Sequence, residues 1–505
     1  MFTLIKQNGI IAITEVTMTV KELIELLENN GGVTKTIVYE NARDTMIKDI
    51  TYDSRAVGKD SVFFVKGVNF KVEYIIDAIK RGAALVVAEK EYDIEGAGLV
   101  VVPDIRHAMV VCAEEFFENA FDKIKMIGLT GTKGKTTTAT YIHNILNLEK
   151  GKRTALLSTI ETYTGKRCEE SHLSTPEAIE LQRYIAESVE ADLSCLVMEV
   201  SSQATKTERI LNTSYDIGMF LNISEDHISP AEHPNFNDYL NSKLAFLKKC
   251  KIVIVNYETD CLDAVLDAAE GAEKIITFAS EKLAEKVDCY YTNVHREDEH
   301  LVFDVVDNGE KQTYKTKMIG DFNVQNAVAA IITAKELGVK SENILKGIEM
   351  TTVSGRMNVF KGKNKTIIVD YAHNRLSFEK FFEAVKKDYP HSEIVALFGA
   401  PGGKAYGRRK TMAEVASEYA DKIYLTADDP QFELVGDICA ELATYITVPY
   451  EVIEDRKQAI ETAYSDMKEN GVLCLLAKGE DKYQQVRGKL EDYESDVTIA
   501  KNITK

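Results

Sequence analysis

The chain has no tryptophan, no Cys-x-x-Cys pair, no surplus of positive charge and no apolar run near the roughly 18 residues that a membrane helix needs. The missing tryptophan excludes nothing. The eight cysteines stand apart, at 112, 168, 195, 250, 261, 289, 439 and 474, which removes a zinc ribbon or a redox dithiol from consideration. Several lie in apolar runs, Cys195 in LSCLVMEV and Cys474 in GVLCLLAKG, and are expected as buried free thiols in a reducing compartment. Lys and Arg number 61 against 80 Asp and Glu, a net charge of −19. So acidic a surface argues against a general nucleic-acid binder or a polybasic membrane binder, while a local basic pocket for a phosphorylated ligand stays compatible with it. The first residues, MFTLIKQNGIIAITEV, lack the basic start, long apolar run and small-residue cleavage site of a secretory signal. The expected location is the cytoplasm, with neither nucleic acid nor membrane as partner.

What is present is a globular composition, 45% apolar and 28% charged, over 505 residues. At roughly 100–200 residues per domain, that length predicts about three domains. The first stretch mixes short elements: VKELIELLE reads as a helix, SVFFVKG and ALVVAEK as strands. An apolar strand from Ile124 to Leu129 then runs into a Gly/Thr loop and a helix with apolar residues at 139, 142, 145 and 146. LSCLVMEV, DIGMFLNI and KIVIVN read as further buried strands, and TIIVDYA, SEIVALFGA, KIYLTADD and GVLCLLAKG repeat the alternation later. The expected class is α/β in three domains: a smaller N-terminal α/β domain (1–122), a central domain with a mostly parallel sheet (123–352) and a C-terminal Rossmann-like α/β domain (353–505). The linker is expected near 350–365, where TTVSGRM and KGKNK break the periodicity. Polar residues follow the strands at Thr130–Thr136, Glu199–Ser202, Asn222–His227, Asp370–His373 and Asp428–Asp429, where open α/β sheets bind ligands.

The strongest motif is Thr130-Gly131-Thr132-Lys133-Gly134-Lys135-Thr136. A strand, a glycine loop and Lys-Thr opening a helix make a phosphate cradle: loop N–H groups face the anion, Lys135 adds charge, and the Thr136 hydroxyl reaches Mg²⁺. The strict Walker spacing fails, because Leu129 stands where its first glycine belongs. Glu199, at a strand end beside this loop, suits a Mg²⁺ ligand or a capping role. His227 in NISEDH reads as a metal ligand, a phosphate contact or a structural histidine. Lys243, in DYLNSKLAFLKK, reads from spacing alone as a solvated helix lysine. Asn326 in GDFNVQNAVAA suits an adenine edge or a turn cap. Arg356 in the linker suits a phosphate or plain surface charge. Asp370 and His373 suit a phosphate, metal or ribose hydroxyl, or a simple turn. Asp428-Asp429-Pro430 suits a cationic amine or a plain acidic loop.

The ordered set TGTKGKT, STPE, MEVSSQ, NISEDH, YLNSK, GDFNVQNA, SGRM, DYAHN and TADDP resembles the Mur ligase family, ATP-dependent amide-forming enzymes of bacterial cell-wall synthesis, over nearly the whole chain. TYDSRAVGKDSVFFVKG resembles the UDP-binding segment of the members that add the third residue to UDP-MurNAc-L-Ala-D-Glu. The resemblance implies a UDP-binding domain, an ATPase domain and an amino-acid-binding domain, acting as a monomer with ATP and Mg²⁺. It implies that Thr130 to Thr136 cradle ATP, and that Thr136, Glu199, His227 and Lys243 serve the metal. Lys243 matches the lysine that the family carbamylates, against its reading from spacing. Lys135, His227 and Lys243 are the implied catalytic residues. Asn326, Arg356, Asp370 and His373 match adenine, phosphate and ribose contacts. Ser54, Ser174, Thr175, Ser201 and Arg209 match contacts to the nucleotide-peptide. The implied chemistry is an acyl-phosphate on the D-Glu γ-carboxylate, then attack by an amine.

Members that add meso-diaminopimelate carry Asn-Pro-Arg where this chain has Asp428-Asp429-Pro430-Gln431, so the expected amino acid is L-lysine, with L-ornithine satisfying the same charge logic. The chain departs from the family at Thr207, Arg375 and the AKGEDKYQ loop around Lys478 and Gly479. Lys404, Arg408 and Arg409 follow AlaProGlyGly and are candidates for the α-carboxylate of the amino acid. The competing expectations are a meso-diaminopimelate ligase, a folylpolyglutamate-synthetase-like ligase, and a nucleotide-binding scaffold without catalysis.

Overall fold

Three sheets carry the fold in the computed structural model, which describes residues 18–505 apart from 39, 68–69, 150, 152, 172, 230–231, 299 and 404–405. The initial MFTLIKQNGIIAITEV stretch and Lys404 lie outside the described residues. The N-terminal sheet has five strands, in the order Lys35–Ile37, Gly98–Val101, Ala83–Ala88, Ser61–Phe64, Asp49–Thr51. Only its first pair is antiparallel.

The central sheet has eleven strands, and Lys125–Thr130 lies in its middle, between parallel neighbours Tyr215–Phe220 and Cys195–Glu199. These strands are almost continuously apolar because helices cover both faces. One face packs on the helices Lys135–Leu148 and Phe322–Glu336, the other on Ala178–Glu190 and Phe236–Leu247. Gly128 allows this closeness: a Cβ there would meet the Phe246 ring at 2.7 Å and Tyr215 at 2.8 Å. The parallel core is extended at both edges by antiparallel strands, 289–316 on one side and 161–170 on the other.

The C-terminal sheet runs Asn358–Lys361, Thr366–Asp370, Val472–Leu476, Ile394–Phe398, Lys422–Leu425, Tyr450–Val452, parallel after the first pair. The expected linker at 350–365 is therefore shorter. Asn358–Lys361 pairs with Thr366–Asp370, and residues 362–365 of KGKNK make the turn between them. Arg456 and Asp496 form a fully buried ion pair, and the same guanidinium donates to the carbonyls of Ala427 and Leu476. Cys195 and Cys474 are buried in their strands and no disulfide is present among the described residues. Among those residues no helix is long and apolar enough to cross a membrane.

Candidate active site

The phosphate loop leaves the central strand at Thr130, whose hydroxyl donates to the Val200 carbonyl. Gly131 and Gly134 take φ values of +155° and +86°, and a Cβ on Gly134 would lie 2.2 Å from Asn326 Oδ1. Glycine is thus required where the loop meets the Phe322–Glu336 helix. The NISEDH segment braces the loop from the next strand. Asn222 accepts from Thr132 N through its carbonyl and from Lys133 N through Oδ1. Thr132 Oγ1 lies 3.0 Å from the Tyr239 hydroxyl.

Lys135 Nζ and Lys243 Nζ both donate to the Gly131 carbonyl, at 2.8 and 2.9 Å. Lys243 is 2% exposed, so its reading as a solvated helix lysine is overturned. It shares the buried face of its helix with Tyr239, Phe246 and Leu247. Burial, then the charge of Lys135, holds its amine well below the ordinary lysine value. Burial also lowers Lys135, against Glu199 and Asp226, and brings Lys133 down to about 8.

Glu199 Oε1 accepts from the Thr136 hydroxyl at 2.7 Å and from Thr159 N at 2.7 Å. Oε2 accepts from Thr159 Oγ1, which also lies 2.8 Å from Ser174 Oγ. Thr175 Oγ1 donates to the Glu199 carbonyl and lies 3.2 Å from Ser201 Oγ, and Arg209 Nη1 donates to the Thr175 carbonyl. The phosphate loop and the STPE segment are thus joined through one carboxylate. Among the described residues no three His, Cys, Asp or Glu side chains gather as a metal cage. A donor set of one hydroxyl and one carboxylate beside a phosphate loop fits a hard ion that keeps several waters, as Mg²⁺ does. His227 takes φ +58° and its Nδ1 lies 2.9 Å from Glu232 Oε1.

Asp226 is the meeting point of two units. Its carboxylate accepts from Arg408 Nη2 and Asn374 Nδ2 of the C-terminal unit, both at 2.6 Å, and lies 3.7 Å from Lys133 Nζ. Burial opposes its charge, yet Lys133 and Arg408 hold it far below the usual carboxylate range. Arg408 thereby faces the phosphate loop, and the charge of Arg356 also acts on Lys133 and Lys135 there. Arg409 is buried and committed to Glu433, Glu441 and the Pro401 carbonyl, so it drops out as a candidate for the amino acid's carboxylate. Asp370 accepts from Met357 N and Ala372 N, and Arg356 stacks 4.5 Å over the Tyr371 ring. Asn326 donates to Asn323 Oδ1 and presses on Gly134 rather than capping a turn. His373 Nδ1 lies 2.7 Å from the Tyr371 carbonyl, and burial holds the ring well below its ordinary value.

Asp428 and Asp429 end the Lys422–Leu425 strand's loop, and the AKGEDKYQ segment comes to them. Lys478, wholly buried, donates to Asp429 Oδ1 at 2.9 Å and lies 3.4 Å from Asp481 Oδ2. Burial works against the Lys478 charge, but Asp428, Asp429 and Asp481 hold its ammonium above the ordinary value. Three carboxylates thus face one lysine. Burial pushes the Asp428 carboxyl up to about 6. Gln431 pairs with the 483–492 hairpin, its N donating to the Gln485 carbonyl at 2.9 Å, and the Pro430 carbonyl accepts from Glu433 N. Ser54 is buried in a short 3₁₀ turn of the N-terminal unit. Sequence reasoning passed over Thr159, and it singled out the NISEDH and AKGEDKYQ segments without assigning roles to Asp226 or Asp481; only their distant partners reveal them.

This chain is similar to known proteins along most of its length. The Mur ligase middle domain matches residues 129–334, and the Mur ligase glutamate ligase domain matches 355–479. The UDP-N-acetylmuramoyl-L-alanyl-D-glutamate–L-lysine ligase of Streptococcus agalactiae is 36% identical over 97% of this chain and 100% of its own. The corresponding ligase of Enterococcus faecalis is 38% identical over 89% and 90%. Among solved structures, MurF ligase from Thermotoga maritima in complex with ADP has a TM-score of 0.61 at 17% identity, covering 85% of this chain and 93% of that one. With both domains matched and full-length relatives above the level at which folds and families are shared, the chain belongs to the Mur ligase family.

Proposed function

We propose that this chain is an ATP-dependent ligase that joins L-lysine to the D-Glu of UDP-MurNAc-L-Ala-D-Glu, in the making of peptidoglycan precursor. One observation carries the reading: the hydrogen-bond path Thr136–Glu199–Thr159–Ser174 puts a phosphate loop directly beside the STPE segment. A phosphoryl donor and an acceptor carboxylate held on the two sides of that path are in reach of each other.

Ser174, Thr175, Ser201 and Arg209 hold the nucleotide-peptide, with Ser54 serving its uridine diphosphate. Thr130 to Thr136 wrap the triphosphate, Asn326 serves the adenine, and Arg356, Asp370 and His373 serve ribose and phosphate. A γ-carboxylate oxygen of D-Glu bonds to the γ-phosphorus as the bond to ADP breaks. The neutral α-amine of lysine then bonds to the acyl carbon as the carbon–oxygen bond to phosphate breaks, phosphate leaves with that oxygen, and the proton lost by the amine passes to phosphate or water. Lys135 offsets charge on the transferred group. Magnesium would be held by Thr136, Glu199, His227 and Lys243, and when bound would neutralise phosphate charge. The depressed amine of Lys243 supports carbamylation, since CO₂ adds to a neutral amine and yields an anionic oxygen ligand. The surplus of carboxylates at Asp428, Asp429 and Asp481 over Lys478 favours an ammonium side chain, and the names of the relatives favour lysine.

The test is phosphate release from ATP with lysine, ornithine and meso-diaminopimelate offered side by side. Release that needs both UDP-MurNAc-L-Ala-D-Glu and lysine supports the reading. Preference for diaminopimelate overturns the amino acid, release with a folate and glutamate overturns the substrate, and tight ATP binding without turnover overturns the catalysis.

A further inference from the structure

At the seam between the N-terminal and central units, two cations share one carboxylate. Lys66 follows the Ser61–Phe64 strand, and its Nζ lies 2.5 Å from Glu177 Oε2. Arg209 Nη2 lies 2.7 Å from Oε1 of the same group. All three side chains are shielded, at 14–15% exposure. Arg209 Nε is buried with no hydrogen-bond partner. Lys66 Nζ also sits 4.9 Å over the Tyr52 ring, two residues before Ser54. The other charges acting here are Arg106 and Glu180. Burial raises the Glu180 carboxyl and works against the charges of Lys66 and Arg209. Three cations thus face two carboxylates, one of them pushed toward neutrality, and a shielded surplus of positive charge is stabilised by an incoming anion.

We propose that Lys66 is a positioning residue for an anionic group of the nucleotide-peptide substrate, exchanging Glu177 for that group when substrate arrives. The proposal rests on the ligase reading above and adds to it a residue that reaches the substrate from the N-terminal unit. Glu177 lies within the STPE segment itself, so the exchange takes place where Ser174 and Thr175 already stand. The anion is a phosphate of the diphosphate or the α-carboxylate of D-Glu, chemically similar partners for an ammonium.

Initial rates on the full chain test this. Lys66→Met, with an unchanged thermal midpoint, is expected to raise KM for UDP-MurNAc-L-Ala-D-Glu tenfold or more and to leave KM for ATP within twofold. Lys66→Arg should recover most of the loss. Glu177→Gln removes the competing carboxylate and should lower that KM or leave it unchanged. Binding of UDP alone, and of the dipeptide substrate with its α-carboxylate amidated, separates the two anions: weakened UDP binding in Lys66→Met assigns the diphosphate, and a variant indifferent only to the amidated substrate assigns the carboxylate. An unchanged substrate KM in Lys66→Met, a matching rise for ATP, or a Glu177→Gln loss as large as that of Lys66→Met would mark the pair as a structural brace and overturn the proposal. Wild-type protein that does not turn over the UDP substrate overturns the ligase reading instead, a separate result.

Discussion

Lys243 shows what a single residue can hide. Its neighbours in sequence include Lys248, Lys249 and Lys251, and a lysine there looks solvated. Yet 243 is four residues after Tyr239 and four before Leu247, so it lies on the helix's apolar stripe. A lysine in register with a core face is a functional signal that spacing does carry. Lys243→Ala should lower ligase turnover by at least about a hundredfold, the scale of losing one group aimed at developing charge. Added formate or acetate should restore part of it; full activity in the variant would remove the carbamate from the mechanism. Asp428 makes a second prediction at this scale. Its carboxyl is pushed up to about 6, so its charged form is lost as pH falls through that value. If it pairs with the ammonium of lysine, KM for lysine should rise about tenfold between pH 7 and pH 5, while KM for ATP stays nearly level. A flat lysine KM would assign that contact to Asp481 or to none.

Elements were legible where physics is local. The strand-loop-helix at 124–148 follows from an apolar run, two glycines and a helix with apolar spacing. The antiparallel edges of the central sheet were not legible, because CYYTNVHRE and EKQTYKT are amphipathic or polar and read as neither buried strand nor helix. The buried Arg456–Asp496 pair was equally invisible: forty positions separate its members. It ties two helices to the ends of two strands through the Ala427 and Leu476 carbonyls. Arg456→Met leaves Asp496 charged and unpaired, and should destabilise the C-terminal unit by about 3–5 kcal/mol. A thermal midpoint unchanged from that of the parent would show that the pair contributes little. At the phosphate loop, Gly134→Ala forces a Cβ against Asn326 at a φ of +86°. KM for ATP should rise more than tenfold with the fold retained, as read by nucleotide titration.

At the scale of the whole molecule, sequence reasoning placed three α/β units but not how they touch. Those contacts include polar side chains from distant stretches, Asp226 with Arg408 and Asn374, Lys66 with Glu177, beside apolar packing of Ile179 into the N-terminal core and of Ile319 and Phe322 against the C-terminal one. Asp226→Ala strips the counter-charge from Lys133 and Arg408 together. Overall turnover should fall about a hundredfold or more, as expected for a broken buried pair, while affinity for the UDP substrate holds. Equal losses in both would place Asp226 in the fold rather than in the coupling of the units.

The joints between units combine apolar packing with shielded charge pairs. Added electrolyte shortens the reach of attractions between exposed charges to about 10 Å at 0.1 M and about 3 Å at 1 M, and acts much less on shielded pairs such as these. A protein joined this way should keep its turnover nearly level as salt is raised over that range, as read by initial rates in buffers of rising ionic strength.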